Sequence, residues 1–215
     1  MEKDLSNYRK SYEKQELSES NISDNPMQLF QTWFHEVDNH YDEGETNAMT
    51  ISTLGLDGYP KGRVVLLKKF TPDGFIFYTN YESEKGKAIM KNPNVCLSFF
   101  WHQAERQVII KGKAERIAEN LSDGYFESRP RGSQLGALVS HQSKVVKNRK
   151  VLEKQLKQLE TKYEGKEVPR PDYWGGFIVK PSEMEFWQGR ANRLHDRIRY
   201  KLDEDYFWTM NRLAP

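Results

Sequence analysis

Residues 106–117 are RQVIIKGKAERI, and they alternate as a half-buried β-strand does. Apolar or small side chains stand at every second position, and mostly polar ones stand between them: Val108, Ile110, Gly112 and Ala114 against Gln107, Ile109, Lys111 and Lys113. A repeat of two places alternate residues on opposite faces of a strand. We therefore predict a strand here with one face in the core.

The chain on both sides of this strand is predicted to be mostly β, interrupted by helices. The predicted strands cover residues 48–54, 62–69, 75–79, 95–101, 106–117, 173–179, 183–188, 196–201 and 206–212, with turn signals at Asp57-Gly58 and at 71–74. Helices are predicted from Asp24 and Pro26, over 83–91, over 119–139 as two pieces broken at 128–132, and over 144–163. This order predicts an α+β fold built on an antiparallel β-barrel, and the pattern leaves the barrel topology open. We expect residues 1–23 to be a mobile N-terminal segment and residues 24–215 to be a single domain.

The composition narrows the function classes. The chain has 215 residues, a net charge of +2 and 13% aromatic residues, which favours a folded domain over a disordered chain or a general polyanion binder. Its one cysteine, Cys96, excludes an intrachain disulfide, and the five histidines show no metal-ligand spacing. The sequence has no signal-peptide pattern and no long apolar stretch. We therefore expect a cytoplasmic protein with no metal, no membrane partner and no nucleic acid.

Three segments place cations beside hydroxyl and aromatic side chains: RVVLLK at 63–68, YFESRPRGS at 125–133 and WQGRANRLHDR at 187–197. If the last segment is extended, Arg193, His195 and Arg197 point to the same side. Cations on one face repel one another unless an anion lies among them. A solvated charged face is the alternative for each segment. Arginine, lysine, serine and tyrosine together suit a phosphate, so the residues alone predict a site for a planar, phosphorylated ligand.

These segments belong to a set of eight motifs that resembles the pyridoxamine 5′-phosphate oxidase family. The motifs are RVVLLK (63–68), FYTN (77–80), ERQV (105–108), SRPRGSQLGA (128–137), HQS (141–143), DYWGG (172–176), EFWQG (185–189) and RLHDR (193–197). Each motif alone is weakly specific. The eight motifs occur in the family's order, and the match extends from about Arg9 to Pro215, so the resemblance covers nearly the whole chain.

The resemblance implies an FMN-binding split β-barrel with antiparallel, Greek-key-like strands and surrounding helices, working as a homodimer with two FMN sites at the subunit interface. The residues that match the family's FMN contacts are Arg63, Val64, Val65, Leu66, Leu67, Lys68, Tyr78, Thr79, Lys85, Gln107, Gln142, Ser143, Trp187 and Arg197. Those that match its contacts to the substrate phosphate are Lys68, Tyr125, Arg129 and Ser133. Arg193 and His195 match catalytic residues at the pyridine ring, and Arg9 and Tyr12 belong to an N-terminal piece that closes over the substrate.

The implied activity is that of a pyridoxal 5′-phosphate synthase in vitamin B6 metabolism. Such an enzyme oxidises pyridoxamine or pyridoxine 5′-phosphate with O2, releasing H2O2 and, from the amine, ammonia. One position departs from the family pattern, because Glu84 stands where many members carry an arginine that contacts the FMN phosphate. Three alternatives stay open: another split-barrel FMN reductase, a non-catalytic protein that binds FMN or pyridoxal phosphate, and RNA binding through the C-terminal strands, which the near-neutral charge disfavours.

Overall fold

The computed structural model describes residues 3–8 and 10–215 of the chain. Within them, the α-helices are α1 Pro26–His40, α2 Glu84–Lys91, α3 Glu119–Ser128, α4 Arg131–Val139 and α5 Arg149–Lys162. The strands are β1 Ala48–Leu54, β2 Pro60–Leu66, β3 Lys69–Thr71, β4 Gly74–Asn80, β5 Asn94–Trp101, β6 Arg106–Arg116, β7 Trp174–Gln188, β8 Asp196–Leu202 and β9 Trp208–Arg212. Two short 3-10 turns cover Glu19–Asn21 and Ala191–Arg193.

The strands form one sheet with the order β2-β1-β5-β6-β7-β4-β3, and β8 pairs with both β7 and β9. The β3–β4, β4–β7, β7–β8 and β8–β9 pairs are antiparallel, with Tyr78 opposite Gly176 and Trp187 opposite Arg197. Strand β6 buries Val108 and Ile110 and leaves Lys111 and Lys113 exposed. The predicted alternation and the predicted α+β class are therefore confirmed.

Helix α1 begins where the sequence predicts. Pro26 occupies the first helical position, and the Asn25 side chain accepts a hydrogen bond of 2.9 Å from the Met27 N–H. Proline suits this position because its missing N–H would have no partner inside the helix. Among the residues that α1 buries are Phe30 and Trp33, so its apolar stripe packs on a core.

The chain divides into two compact units. The first contains the described residues up to Thr50, Leu97–Lys111 and Pro181–Pro215, and the second contains Ile51–Cys96 and Gly112–Lys180. In the first unit, Phe30 packs edge-on against Phe99 at 5.2 Å, and Trp33 packs against Phe186 at 5.3 Å. In the second, Phe77 stacks on Phe177 at 5.7 Å. Each unit thus has an aromatic core of its own, and the expectation of a single domain over 24–215 stays a prediction.

Three predicted boundaries are wrong. The predicted strand 62–69 is two strands, because Leu66 ends β2 and Lys69 begins β3. The predicted strands 173–179 and 183–188 are one continuous strand, β7, that passes through Pro181. Helix α5 begins at Arg149, five residues later than the predicted start at 144.

The described part of the chain contains no helix that is long and apolar enough to cross a membrane. Across residues 3–8 and 10–215, no three His, Cys, Asp or Glu side chains are grouped so that they could hold a metal ion.

The structure also packs part of the N-terminal segment into the first unit, since Leu17 is buried. The mobility expected for residues 1–23 stays a prediction.

Candidate active site

A cavity of about 480 Å³ opens in the second unit. Most of the predicted ligand contacts of this unit line it: Val64, Val65, Leu66, Lys68, Tyr78, Thr79, Lys85, Tyr125, Arg129, Ser133 and Gln142. These residues come from β2, β4, three helices, the β2–β3 and α3–α4 connections and the loop that follows α4. The volume lies within the range of small-molecule and cofactor sites. The fold therefore gathers residues that are far apart in sequence around one pocket.

One wall of the cavity is a stack of aromatic rings. The rings of Tyr78 and Tyr125 are 3.9 Å apart with an interplanar angle of 22°, and Tyr78 lies 5.5 Å from Trp174 with an angle of 12°. Burial raises the pKa of the Tyr78 hydroxyl, so it stays protonated. A wall of nearly parallel rings is flat and apolar, and it suits a planar ligand.

The break between α3 and α4 directs Arg129 into this cavity. Arg129 is the C-cap of α3, and Pro130 ends that helix because proline disfavours a helical residue before it. The Arg129 guanidinium lies 4.6 Å from the Trp174 ring centre, and its Nη1 is buried without a hydrogen-bond partner. Burial also lowers the pKa of Arg129. A buried guanidinium nitrogen with an unused donor favours an anionic ligand.

A second cationic position lies at the start of α2. The Lys85 side chain is only 7% exposed, and its Nζ donates to Thr79 Oγ1 at 3.0 Å and to Gln142 Oε1 at 3.1 Å. Burial, with a smaller contribution from the cation of Arg63, lowers the pKa of Lys85 to about 8, whereas the charge of Glu84 acts to raise it. Desolvation disfavours the charged form, and a bound anion would relieve this cost.

Gly86 explains how Lys85 becomes buried. A Cβ at Gly86 would lie 2.3 Å from the Tyr81 carbonyl oxygen, so a larger residue would push α2 away from the end of β4. The Ser83 side chain caps the helix by accepting from the Gly86 N–H at 3.2 Å. The close approach brings Lys85 beside Thr79 at the end of the strand.

Arg63 and Glu84 lie next to this position. Arg63 donates through Nη1 to Thr53 Oγ1 at 2.8 Å, while its Nη2 is buried without a hydrogen bond. That Nη2 atom is 3.8 Å from Glu84 Oε2, and Lys61 Nζ is 2.6 Å from the same oxygen. The Glu84 N–H donates to Ser143 Oγ at 3.2 Å. Glu84 is therefore paired with Lys61 and Arg63, and it precedes Lys85 in the chain.

The first unit contains the other predicted residues. The Trp187 ring is 4.7 Å from the His195 ring, and the Tyr12 ring contacts both, at 5.7 and 5.9 Å. The Arg190 N–H donates to His195 Nδ1 at 3.0 Å. Arg197 is bound by Glu185, with Nε 2.8 Å from the carboxylate, which raises the pKa of the Arg197 guanidinium.

The sequence model of a family described as pyridoxamine 5′-phosphate oxidase matches residues 38–163, more than half of the chain. The chain belongs to this family. A second model, described as the pyridoxine 5′-phosphate oxidase C-terminal dimerisation region, matches residues 174–215. The family is one of oxidoreductase enzymes whose cofactor is FMN, as the motifs predict, and the dimerisation region supports the predicted homodimer.

Relatives with high identity support this assignment. A pyridoxine/pyridoxamine 5′-phosphate oxidase from Flavobacterium psychrophilum is 68% identical over 99% of this chain and 100% of its own length. The protein of the same name from Christiangramia forsetii is 55% identical over the full length of both chains. The matched lengths include both units and all eight motifs.

Solved structures confirm the split-barrel fold. PhzG from Burkholderia lata 383, solved with tetrahydrophenazine-1-carboxylic acid, superimposes with a TM-score of 0.85 at 28% identity, covering 91% of this chain and 95% of that one. A pyridoxamine 5′-phosphate oxidase-related, FMN-binding protein from Nostoc punctiforme gives a TM-score of 0.70 at 12% identity, covering 94% and 100%. The second likeness concerns the fold alone.

The cavity of this oxidase-family chain fits a phosphorylated planar group. Arg63 and Arg129 each have a buried nitrogen without a hydrogen-bond partner, and Lys85 has a lowered pKa. These features mark two places where a phosphate would satisfy unused donors. The aromatic wall beside them is flat. The residues present therefore suit both FMN and a phosphorylated pyridine.

One expectation about the C-terminal cations is wrong. Arg193 ends a 3-10 turn with a left-handed φ of 61°, and β8 begins only at Asp196. Arg193, His195 and Arg197 therefore do not lie along one extended strand face. Arg197 is also neutralised by Glu185, so no repulsion within the row requires an anion.

The remaining predicted residues are not among those that line the cavity. Gln107 Nε2 lies 3.5 Å from Ser98 Oγ in the first unit, which is a weak contact. Leu67 is buried between β2 and β3, and Ser143 contacts α2 through the Glu84 N–H. Arg9 lies outside the described residues.

Sequence reasoning missed several residues that line the cavity. The most informative are Trp174 and Asn80, and the others are Gly136, Ala137 and Ser140. A signal was available for the first two, because Trp174 lies in the DYWGG motif and Asn80 in the FYTN motif. Neither residue type indicates a ligand contact by itself, and only the stack with Tyr78 shows the role of Trp174.

Proposed function

We propose that the chain oxidises pyridoxamine 5′-phosphate and pyridoxine 5′-phosphate to pyridoxal 5′-phosphate, with FMN as cofactor and O2 as the final electron acceptor. Hydrogen peroxide is the second product, and the amine substrate gives an imine that water hydrolyses to the aldehyde and ammonia. The observation that carries this proposal is the presence of two separate cations in the lining of one cavity, Lys85 and Arg129, with Arg63 near Lys85. Two phosphorylated ligands, the cofactor and the substrate, would use one position each.

Bound FMN would supply the acceptor for the two electrons and the hydrogen that leave the substrate C4′ carbon. The protein's task is to hold the two ligands in place. Arg63 and Lys85 would hold the FMN phosphate, with Gln142 and Ser143 beside them. The negative charge of a bound phosphate would raise the lowered pKa of Lys85 again, so this residue would stay charged in the complex.

Arg129 would hold the substrate phosphate, together with Lys68, Tyr125 and Ser133. Arg129 and Tyr125 are four residues apart at the end of α3, and Ser133 lies in the first turn of α4. An arginine can bind a phosphate through two parallel N–H groups, and the N-terminal turn of a helix favours an anion. Phosphate binding far from the reacting carbon supplies binding energy that orients that carbon.

The hydrogen bond from Arg190 restricts what His195 can do. Since His195 Nδ1 accepts the Arg190 N–H, the neutral ring carries its proton on Nε2. The atom that it offers to a ligand is then a donor. This arrangement favours a hydrogen bond from His195 to an oxygen substituent on the pyridine ring of the substrate. It disfavours removal of a proton by His195. Arg193 would orient the ring or stabilise negative charge on it.

The decisive experiment is anaerobic reduction of the FMN-loaded protein. Addition of pyridoxamine 5′-phosphate or pyridoxine 5′-phosphate without air should bleach the flavin absorption, and admitted O2 should restore it with formation of H2O2. A yellow protein that neither substrate bleaches would be a reductase with a different donor or a binding protein, and the proposal would then be wrong. We also expect a homodimer with two FMN per dimer, to be checked by solution mass and bound flavin.

A further inference from the structure

Glu105 occupies an unusual position between β5 and β6. It is only 2% exposed, and its φ of 56° lies in the left-handed region. A side chain makes this conformation costly, and glycine or asparagine adopts it more readily. A buried carboxylate kept in a strained conformation indicates that the carboxylate itself is required there.

The Glu105 carboxylate binds the docked segment, which we define as residues 10–15. Its Oε2 accepts from the Glu13 N–H at 3.0 Å and the Lys14 N–H at 3.2 Å, and its Oε1 lies 3.5 Å from Lys10 Nζ. The next residue, Arg106, donates to the Gln15 side chain. Glu105 in the turn and Arg106 at the start of β6 thus hold the docked segment by the N–H groups of Glu13 and Lys14 and by the side chains of Lys10 and Gln15.

The main chain of Glu105 also holds the surface on which the docked segment lies. Its carbonyl oxygen accepts from the Gly189 N–H at 2.8 Å and from Gln188 Nε2 at 3.2 Å. Gly189 leaves no room for a side chain, since a Cβ there would lie 2.7 Å from Cγ of Tyr12. Glu105 therefore binds both the docked segment, which carries Tyr12, and the end of β7 beside Trp187.

We propose that Glu105 is a positioning residue that, through the docked segment, places the Tyr12 ring against His195 and Trp187. Tyr12 packs edge-on against both rings, and the Arg190 N–H donates to Nδ1 of the His195 ring. The His195 ring is therefore held by two aromatic contacts and one hydrogen bond, which restrict the direction in which its Nε2 donor points. The kinetic part of this inference rests on the proposed function, whereas the docking itself does not.

The test uses Glu105→Gly in the FMN-loaded protein, because glycine tolerates the left-handed φ and lacks the side chain that carries the carboxylate. Amide hydrogen exchange of residues 10–15 should become about tenfold faster or more, which corresponds to about 1.4 kcal/mol. The specificity constant kcat/KM for pyridoxamine 5′-phosphate should fall about tenfold. Glu105→Gln should restore most of both losses, since its amide oxygen can still accept both N–H groups.

A double-mutant cycle separates positioning from a general structural role. If Glu105 acts through Tyr12, Glu105→Gly should lower kcat/KM less than about twofold once Tyr12→Ala is present. Gly189→Ala, which displaces the Tyr12 ring without touching the carboxylate, should have the same effect as Tyr12→Ala. Additive losses in the cycle would overturn the positioning role.

Asp203→Gly is the matched control. Asp203 also accepts two backbone N–H groups, from Asp205 at 3.0 Å and from Phe207 at 2.8 Å, but these lie in its own turn. This variant should leave the exchange of residues 10–15 unchanged. Unchanged exchange in Glu105→Gly itself would overturn the docking, whatever the activity. Absence of oxidase activity in the natural protein, with the expected exchange result, would instead count against the proposed function alone.

Discussion

Replacing Lys85 by methionine removes a buried charge and keeps a side chain of similar length. The fall of the Lys85 pKa from 10.5 to about 8 corresponds to about 3 kcal/mol, at roughly 1.4 kcal/mol for each pH unit. This is the cost of keeping the ammonium charged in the ligand-free protein. The apoprotein of Lys85→Met should therefore be more stable at pH 7, by less than this amount, because Thr79 and Gln142 lose a donor.

The pH dependence follows from the sign of the shift. Below pH 8 Lys85 is protonated in both the folded and unfolded states, so its full cost is present. Between about pH 8 and 10.5 the unfolded chain binds the extra proton, and the stability contribution of Lys85 improves as the pH rises. The advantage of Lys85→Met should shrink across this window. Urea unfolding of both apoproteins from pH 7 to 10.5 measures the difference.

FMN binding should favour the natural protein over Lys85→Met, whereas the stability of the apoprotein favours the variant. The charged Lys85 would donate to the FMN phosphate, and a hydrogen bond to a charged group is worth about 1.5–3 kcal/mol, or roughly 10–150-fold in affinity. Lys85→Met should lose this amount at pH 7. The affinity of the natural protein should weaken above pH 8, and that of the variant should stay flat by comparison.

Lys87→Met is the control, since Lys87 lies two residues away on α2 and is exposed. It should change neither the stability window nor FMN affinity by more than about 0.5 kcal/mol. Parallel pH curves for the natural protein and Lys85→Met, in both stability and FMN affinity, would refute the reasoning.

Three further predictions concern the two phosphate positions and the reacting end. Arg129→Ala should weaken binding of pyridoxamine 5′-phosphate by roughly 2–3 kcal/mol in steady-state and binding assays and hardly affect unphosphorylated pyridoxamine; equal losses for both would exclude a phosphate role. Glu84→Arg should strengthen FMN binding by about 1 kcal/mol at low salt, less at high salt; identical affinities of both proteins at low salt would remove Glu84 from the site. His195→Ala and Arg193→Ala should each slow anaerobic flavin reduction more than they weaken FMN binding, and unchanged rates in stopped-flow absorbance for both would exclude a catalytic role.

The sequence determined which segments are helices and which are strands in most cases, because apolar side chains recur along the chain with the period of the helix or strand that buries them. Strand β1 was predicted with its observed bounds, residues 48–54, and the break between α3 and α4 was predicted within residues 128–132, where the structure has it. These features depend on side chains close in sequence: alternating apolar residues, a proline and helix caps. The eight motifs likewise identified the family, since residue order alone carries that information.

Only the tertiary structure decided where strands change partners. The run 63–68 looks continuous, but β2 pairs with β1, while Lys69 in β3 pairs with Ile76. Conversely, Pro181 looks like a strand end, yet it lies between the ladder to β4, which stops at Val179, and the ladder to β8, which starts at Glu183. The missing N–H of Pro181 therefore interrupts neither of these two ladders.

The sequence also does not show which charged residues are buried. The family resemblance marks Lys85 as an FMN contact and places Glu105 in the ERQV motif, but nothing in the sequence shows that either residue is buried. Their burial comes from close packing of α2 on β4 and from the docked segment on the turn before β6. Desolvation depends on every atom within several ångströms, and those atoms come from distant parts of the chain. Residue types that could bind a phosphate were therefore determined by the sequence, whereas the tertiary structure decided which of them are desolvated and have unused donors.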